Sequence, residues 1–208
     1  MCISDPTTIG LTCGVTKPHN YKIRMTKGAK DDLRMWREFL SAYNGVTFFQ
    51  DRHWVDNTSI QLFTDAAGSI GFGIYFSGRW SQGRWPSWVK DLELSIAALE
   101  LFPIYAALMI WGQELSNMKV RFMSDNQATV TIINKQTSSC PLIMKMVRKI
   151  VMLCLLLNIS FKASYIEGCN NNIADSLSRF QMTVFRKLVP QAHAKGDVYP
   201  ADIWDVFK

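Results

Sequence analysis

The sequence predicts an α/β fold in which a mixed five-stranded sheet carries helices on both faces. Three short segments with strand-like alternation follow one another between residues 60 and 85, which favours antiparallel strands. Two further strand-like segments then alternate with helical ones, in the order helix, strand, helix, helix, strand, helix. Hydrophobic residues make up 48% of the 208 residues and charged residues 19%, a balance typical of a globular protein.

Composition narrows the class of protein further. The net charge is +6 and the isoelectric point is near 9.1, which favours a polyanionic partner. Five cysteines without a CxxC pair and three scattered histidines predict neither a zinc site nor a disulfide framework, so we expect an intracellular protein, cytoplasmic or nuclear and not secreted. The apolar runs at 101–111 and 150–157 are shorter than the ~20 residues of a membrane span, and the first residues lack the layout of a signal peptide.

The first quarter of the chain is predicted to precede the sheet. Residues 1–20 resemble a loose lead-in, and residues 21–58 a connecting helical segment. A helix is predicted over 26–43, because Leu33, Trp36 and Phe39 fall on one of its faces. Its lysines and arginines either contact a nucleic-acid backbone or solvate an outer face.

The predicted sheet begins with a hairpin. Residues 60–65 alternate as a strand that ends on Asp65, and residues 66–69 supply a turn before a strand over 71–76. A carboxylate at a strand end suits a metal ion, but aspartate is also a favoured turn residue. A third strand is predicted over 79–85, where tryptophans are expected to cover the core more readily than to stack on bases.

Three more acids precede or begin helices. The helical pattern over 91–115 contains Pro103. Either the helix opens near residue 98, with Glu100 in its first turn, or a longer helix is kinked at Pro103. Asp125 follows a strand over 119–123 and fits either a ligand or the N-cap of the next helix. A third long helix is predicted over 141–157 and a strand over 160–166. A short helix follows, capped by Asn171 or the residue after it, and Asp175 falls in its first turn. The tail, residues 182–208, is expected to pack loosely or to lead to another domain.

These four carboxylates occupy places that can meet at one edge of the sheet. Strand ends and first helical turns can be delivered to the same edge, where open α/β sheets place their sites. Adjacent carboxylates repel one another unless cations neutralise them, and oxygen-only ligands favour Mg²⁺ or Mn²⁺. Two such ions about 4 Å apart support in-line phosphodiester displacement. The residues therefore predict a metal-dependent nuclease.

Four motifs carry a family resemblance. TDAAGSIGFG at 64–73, ALELFPI at 98–104, SDN at 124–126 and NNIADSLSR at 171–179 resemble the ribonuclease H domain of retroelement reverse transcriptases, most closely the DIRS-type, tyrosine-recombinase retrotransposons. The resemblance implies an RNase H-like fold over 59–181. The polymerase palm does not occur in the sequence, so it also implies a piece of a longer polyprotein with a polymerase domain, or a separately encoded remnant.

The resemblance also implies the site and its substrate. The Asp, Glu, Asp, Asp quartet of the family corresponds to Asp65, Glu100, Asp125 and Asp175, which would hold two Mg²⁺ or Mn²⁺ ions and cleave the RNA strand of an RNA–DNA hybrid. Glu93 is a rival to Glu100 but lies outside the ELFPI context.

Contacts to the hybrid are expected from polar and basic residues. Ser69, Asn126 and Asn171 are candidate contacts, each of them also explained as a cap or turn residue, and basic residues within 22–37 and 145–149 are candidates for phosphate.

One departure from the family leaves two functions open. Many ribonucleases H have a mobile histidine where this chain has Tyr165, and Glu167 adds a negative charge close by. The alternative to an active nuclease is therefore a catalytically weak or inactive nucleic-acid-binding remnant. The sequence does not determine the oligomeric state.

Overall fold

A computed structural model describes residues 24–43, 54–55 and 57–208. The chain divides into two compact units, Met1–Val46 and Thr47–Lys208. The predicted lead-in, residues 1–20, lies outside the described residues. Within the described residues, no helix is both long enough and apolar enough to cross a membrane.

The described part of the first unit is one helix, α1 (Lys27–Ala42). The side chain of Thr26 caps it by accepting a hydrogen bond from the backbone N–H of Ala29 at 3.2 Å. The Phe39 ring contacts the rings of Trp36 and Tyr43, with centroids 5.9 and 5.4 Å away. The predicted helix over 26–43 is confirmed to within one residue at each end.

The second unit is a mixed α/β structure. Its helices are α2 (Asn57–Ile60), α3 (Ser87–Lys90), α4 (Ile96–Trp111), α5 (Gln127–Lys135), α6 (Pro141–Leu156), α7 (Asn172–Ser178) and α8 (Met182–Leu188). Its strands are β1 (Leu62–Ala67), β2 (Gly71–Phe76), β3 (Arg79–Arg84), β4 (Lys119–Ser124) and β5 (Ser160–Tyr165). Two short 3₁₀ helices span Gly168–Asn170 and Ala201–Val206.

The strands form two sheets. β1, β2 and β3 are antiparallel neighbours in that order, and β4 pairs in parallel with β5. The two sheets meet where the Thr64 hydroxyl donates to the Met123 carbonyl at 3.4 Å, from β1 to β4. The five predicted strands are thus present among the described residues, but the expectation of one continuous five-stranded sheet is corrected to three antiparallel strands beside two parallel ones. Alternation in the sequence specifies strands, whereas whether neighbouring strands such as β1 and β4 join one ladder depends on tertiary contacts, and here they do not.

Helices cover both faces of the three-stranded sheet. Phe72 and Ile74 of β2 belong to the main hydrophobic core, which includes the apolar residues of α4. Gly73, between them, points to the opposite face, where a Cβ atom would lie 2.4 Å from the backbone nitrogen of Ser178. α7 therefore packs directly on the backbone of β2, because the glycine leaves room for it.

α4 is the central helix of the core. The Ser95 side chain caps it by accepting from the N–H of Ala98 at 3.3 Å, so the helix begins at Ile96. Pro103 consequently lies well inside α4, and the helix begins two residues before the predicted opening near residue 98. Glu100 lies directly after the first turn instead of within it. The missing N–H of proline removes a single helical hydrogen bond, which burial on all sides of α4 outweighs.

The C-terminal residues are part of the same core. Ile203, Val206 and Phe207 are buried, and the Phe102 ring of α4 stacks on the rings of Trp204 and Phe207 at centroid distances of 4.9 and 5.1 Å. The expectation that residues 182–208 pack loosely is therefore wrong. Their prolines and glycine suggested a loose segment, but isolated aromatic residues between those breakers fill the space over α4.

Candidate metal centre

Asp65 lies inside a strand and not at a turn. It faces Gly73 of β2 across the ladder, β1 continues to Ala67, and the turn occupies residues 68–70. The Ser178 hydroxyl donates to Asp65 Oδ2 at 2.5 Å, and the Asn171 side-chain amide donates to Oδ1 at 3.4 Å. The interpretation of Asp65 as a turn residue is wrong, because two side chains hold its carboxylate from outside the hairpin.

Glu100 points from α4 into the space beside Asp65. The residue is only 4% exposed, and within the described structure its Oε2 atom is buried without a hydrogen-bond partner. Burial, followed by the charges of Asp65 and Asp125, raises the pKa of Glu100 to about 9, while a hydrogen bond from the backbone of Ala66 acts in the opposite direction. A buried carboxylate oxygen without a donor is costly, so a cation is the chemical partner this position lacks.

Asp125 follows β4 and is free to face the same space. The residue after it, Asn126, caps α5, because its Oδ1 accepts from the backbone N–H groups of Ala128 and Thr129 at 2.9 and 3.1 Å. The reading of Asp125 as the cap is therefore wrong. With the cap supplied by its neighbour, the carboxylate of Asp125 is left for another role.

The three carboxylates form a compact group, called the acidic triad below. One oxygen atom from each of Asp65, Glu100 and Asp125 lies within 4.8 Å of the others, so the triad could hold a metal ion. Burial, together with the charges of Asp125 and Asp175, raises the pKa of Asp65 to about 6, against the lowering effect of the Ser178 hydrogen bond. Hard oxygen ligands of this kind suit a hard divalent cation.

Asp175 comes from the opposite face of the sheet to the edge of this group. It lies in the first turn of α7, as predicted, and lines one open pocket of about 370 Å³ with the acidic triad. Its Oδ1 accepts a hydrogen bond from Arg179 Nε at 2.7 Å. The pocket brings all four predicted carboxylates together, but Asp175 is the one paired with a cation.

The predicted polar contacts are placed differently from one another. Ser69 and Asn126 line the pocket, so both stay candidates for contact with a ligand. Asn171 is 1% exposed, and its amide also donates to the Thr64 carbonyl at 3.1 Å. The amide of Asn171 is thus held against β1 beside Asp65, and its contact with a substrate stays a prediction.

Two residues of the centre were not predicted. Ser178 holds Asp65, and Arg179 pairs with Asp175, although both lie within the NNIADSLSR motif. The spacing of Arg179 four residues after Asp175 on a helix was a usable signal, because such residues are neighbours on the helix surface. The contact from Ser178 to Asp65 carried no such signal, since it joins residues 113 positions apart.

The chain after β5 lies near Asp125, which lines the pocket. Tyr165, the predicted replacement for a histidine, ends β5 and is 49% exposed. A Cβ atom at Gly168 would lie 3.4 Å from Asp125 Oδ2, so this backbone runs close beside the triad.

The centre belongs, by its ligands, to the class of acidic oxygen-only sites that could hold a metal ion. No protein-family model matches this chain, and no curated protein matches it. Its function is therefore inferred from the fold, the site and the sequence motifs themselves.

Proposed function

We propose that this chain is a metal-dependent ribonuclease H with an RNase H-like fold, which cleaves the RNA strand of RNA–DNA hybrids during reverse transcription of a retrotransposon. In this proposal it acts with a polymerase domain of a longer polyprotein. The observation that carries the proposal is the buried Oε2 atom of Glu100, which lacks a hydrogen-bond partner in the described structure and lies beside two more carboxylates.

The donor set fits magnesium or manganese. The triad offers oxygen ligands only. The raised pKa of Glu100 is caused mainly by burial of its carboxyl group, and a bound cation would offset this effect by favouring the ionised form. Asp175 supplies a fourth carboxylate on the rim of the same pocket. Two divalent cations held by these residues would supply an activated water and charge stabilisation at phosphorus.

The order of elements supports the proposed fold. An antiparallel β1–β2–β3 unit is followed by α4, by the parallel pair β4 and β5, and by α7. Each acid lies on, or directly after, a different one of these elements. This agrees with the order Asp, Glu, Asp, Asp that the four sequence motifs imply. A chance grouping would have to bring four elements to one pocket with an acid on each.

The surrounding residues prepare the carboxylates for this role. Ser178 and Asn171 hold the two oxygens of Asp65 from α7 and its cap, so the carboxylate cannot turn away from the pocket. The pocket is open, which suits a long backbone substrate better than an enclosed small molecule. Its acidic wall would repel phosphate in the absence of cations, so cleavage should depend strictly on the metal.

Hybrid cleavage by matched variants tests the proposal. The wild-type chain is expected to cut the labelled RNA strand of an RNA–DNA hybrid with Mg²⁺ or Mn²⁺, to leave duplex DNA intact, and to lose activity in EDTA. Asp125→Asn should reduce the rate by about a hundredfold or more, because one ligand is lost. Asp91→Asn, an exposed acid outside the pocket, is the control and should retain activity. A hybrid left intact by the wild type, where a known ribonuclease H cuts it, would refute the enzyme.

A second candidate is a hybrid-binding protein that does not cleave. The ion pair between Asp175 and Arg179 favours it, since it occupies one of the four carboxylates. This candidate predicts that wild type and Asp125→Asn bind the hybrid equally and that neither cuts it. Gel-shift and cleavage assays on the same samples separate the two.

A further inference from the structure

The acidic pocket contains its own cation. Arg179, at the C-terminal end of α7, lines the pocket together with the triad, and its Nε atom donates to Asp175 Oδ1. It is the one lysine or arginine among the described residues that line this pocket. The four carboxylates of the pocket therefore differ: Asp175 is paired with Arg179, whereas the acidic triad is not hydrogen-bonded to this arginine.

The ion pair between Arg179 and Asp175 contributes little to the stability of the folded protein. The side chains of Arg179 and Asp175 are 48% and 37% exposed, and exposed pairs four residues apart on a helix contribute little to stability. The geometry of the pair nevertheless determines where the positive charge lies. The guanidinium is held at the rim of the pocket, within electrostatic reach of Asp65 and Asp125 as well.

We propose that Arg179 closes Asp175 to metal in the free protein, so that the centre takes up one divalent cation, on the acidic triad, and not two. This inference rests on the proposed function and assigns the occupancy of the same site. A second cation would have to displace the guanidinium from Asp175 Oδ1 and would stand close to its positive charge. Arg179 is thus a positioning residue that makes uptake of the second cation a separate step.

Binding of the triad cation is not affected in the same way. Its three ligands lie within 4.8 Å of one another, and none of them is hydrogen-bonded to Arg179. Removing the guanidinium charge should therefore increase the affinity for both cations, but only the second cation gains a ligand, the carboxylate of Asp175. The number of bound ions is the observable that separates these effects.

Titration of Mn²⁺ into the metal-free full chain, followed by calorimetry and by the EPR signal of free Mn²⁺, tests the inference. The wild type should bind one ion. Arg179→Gln should bind two, with affinity for the second increased at least about tenfold. Arg179→Lys, which keeps a cation at the same place, should return the stoichiometry toward one. Arg84→Gln is the matched control, since Arg84 is exposed and stacks on the Phe180 ring at 4.4 Å, and it should bind one ion.

The double variant Arg179→Gln, Asp175→Asn should bind one ion again, which would assign the second site to Asp175. Two ions of similar affinity in the wild type, or one ion in a folded Arg179→Gln protein, would overturn the inference while leaving the proposed nuclease intact. Absence of Mn²⁺ binding by the wild type would overturn the metal centre itself. Thermal unfolding of each variant in EDTA confirms that the protein is folded, as the exposure of Arg179 leads us to expect.

Discussion

Replacing Glu100 by glutamine is expected to stabilise the metal-free protein and to remove its stabilisation by metal. Glu100 is 4% exposed, and its pKa is raised from 4.5 to about 9 by burial and by the neighbouring carboxylates. The glutamine side chain has nearly the same shape and carries no charge. Its amide can also donate a hydrogen bond to Asp65, whose carboxylate lies in the same triad.

The size of the effect follows from the pKa of Glu100. Between pH 4.5 and about 9 the folded protein holds a proton that the unfolded chain releases, so the stability of the metal-free wild type falls as the pH rises through this window. Taking up that proton at about pH 7.5 costs about 1.4 kcal/mol for each pH unit above 4.5, which sets a limit of about 4 kcal/mol. Glu100→Gln should regain a few kcal/mol at about pH 7.5 and almost nothing near pH 4, where both states are protonated.

Urea unfolding in EDTA at these two pH values measures the difference directly. Glu93→Gln, the exposed rival acid of the sequence, is the matched control and should change the free energy of unfolding by about 0.5 kcal/mol or less. Adding Mg²⁺ should stabilise the wild type according to its affinity and leave Glu100→Gln unchanged. If Glu100→Gln is destabilised at both pH values, or equally stabilised at both, then the pKa of Glu100 is not raised in the folded protein.

Two further predictions concern proton release and packing. Mn²⁺ should bind more tightly as the pH rises from 6 to 9 and should release protons, because Asp65 and Glu100 have raised pKa values of about 6 and about 9. Calorimetry in two buffers of different ionisation enthalpy measures this proton release. An affinity for Mn²⁺ that does not change with pH would contradict the prediction. Gly73→Ala should destabilise the protein by about 1–3 kcal/mol in urea unfolding, because its Cβ would lie 2.4 Å from the Ser178 backbone nitrogen. Gly68→Ala, where the nearest atom is 4.0 Å away, is its control, and equal costs for the two would contradict the close packing of α7.

Much of the secondary structure could be predicted from the sequence. The hairpin, β4, β5, α5 and α6 lie where alternation and helical periodicity place them, within one or two residues. The predicted opening of α4 near residue 98 was two residues late, because Pro103 was taken as a limit on the helix, and Glu100 was therefore placed in the first turn. A proline signal is local, whereas the burial of α4 on every side comes from the whole core.

The C-terminal residues also show that a local sequence signal does not predict packing. Prolines and a glycine dominate the local signal, so the sequence suggested loose packing. The buried residues Ile203 and Phe207 are too widely spaced to form a periodic pattern, and their place over Phe102 exists only once α4 is folded. Their contribution to the core could not be read from any single stretch.

For the site, the sequence by itself selected the four candidate carboxylates, each in its own motif: Asp65, Glu100, Asp125 and Asp175. The tertiary structure decided their unequal environments, because it buries Oε2 of Glu100 without a hydrogen-bond partner among the described residues, gives the cap of α5 to a neighbour of Asp125, and pairs Asp175 with Arg179. The physical reason is that burial and charge pairing depend on distances between elements far apart in the chain. A motif fixes which residue type stands at a position, while only packing fixes the environment of that side chain and therefore its charge.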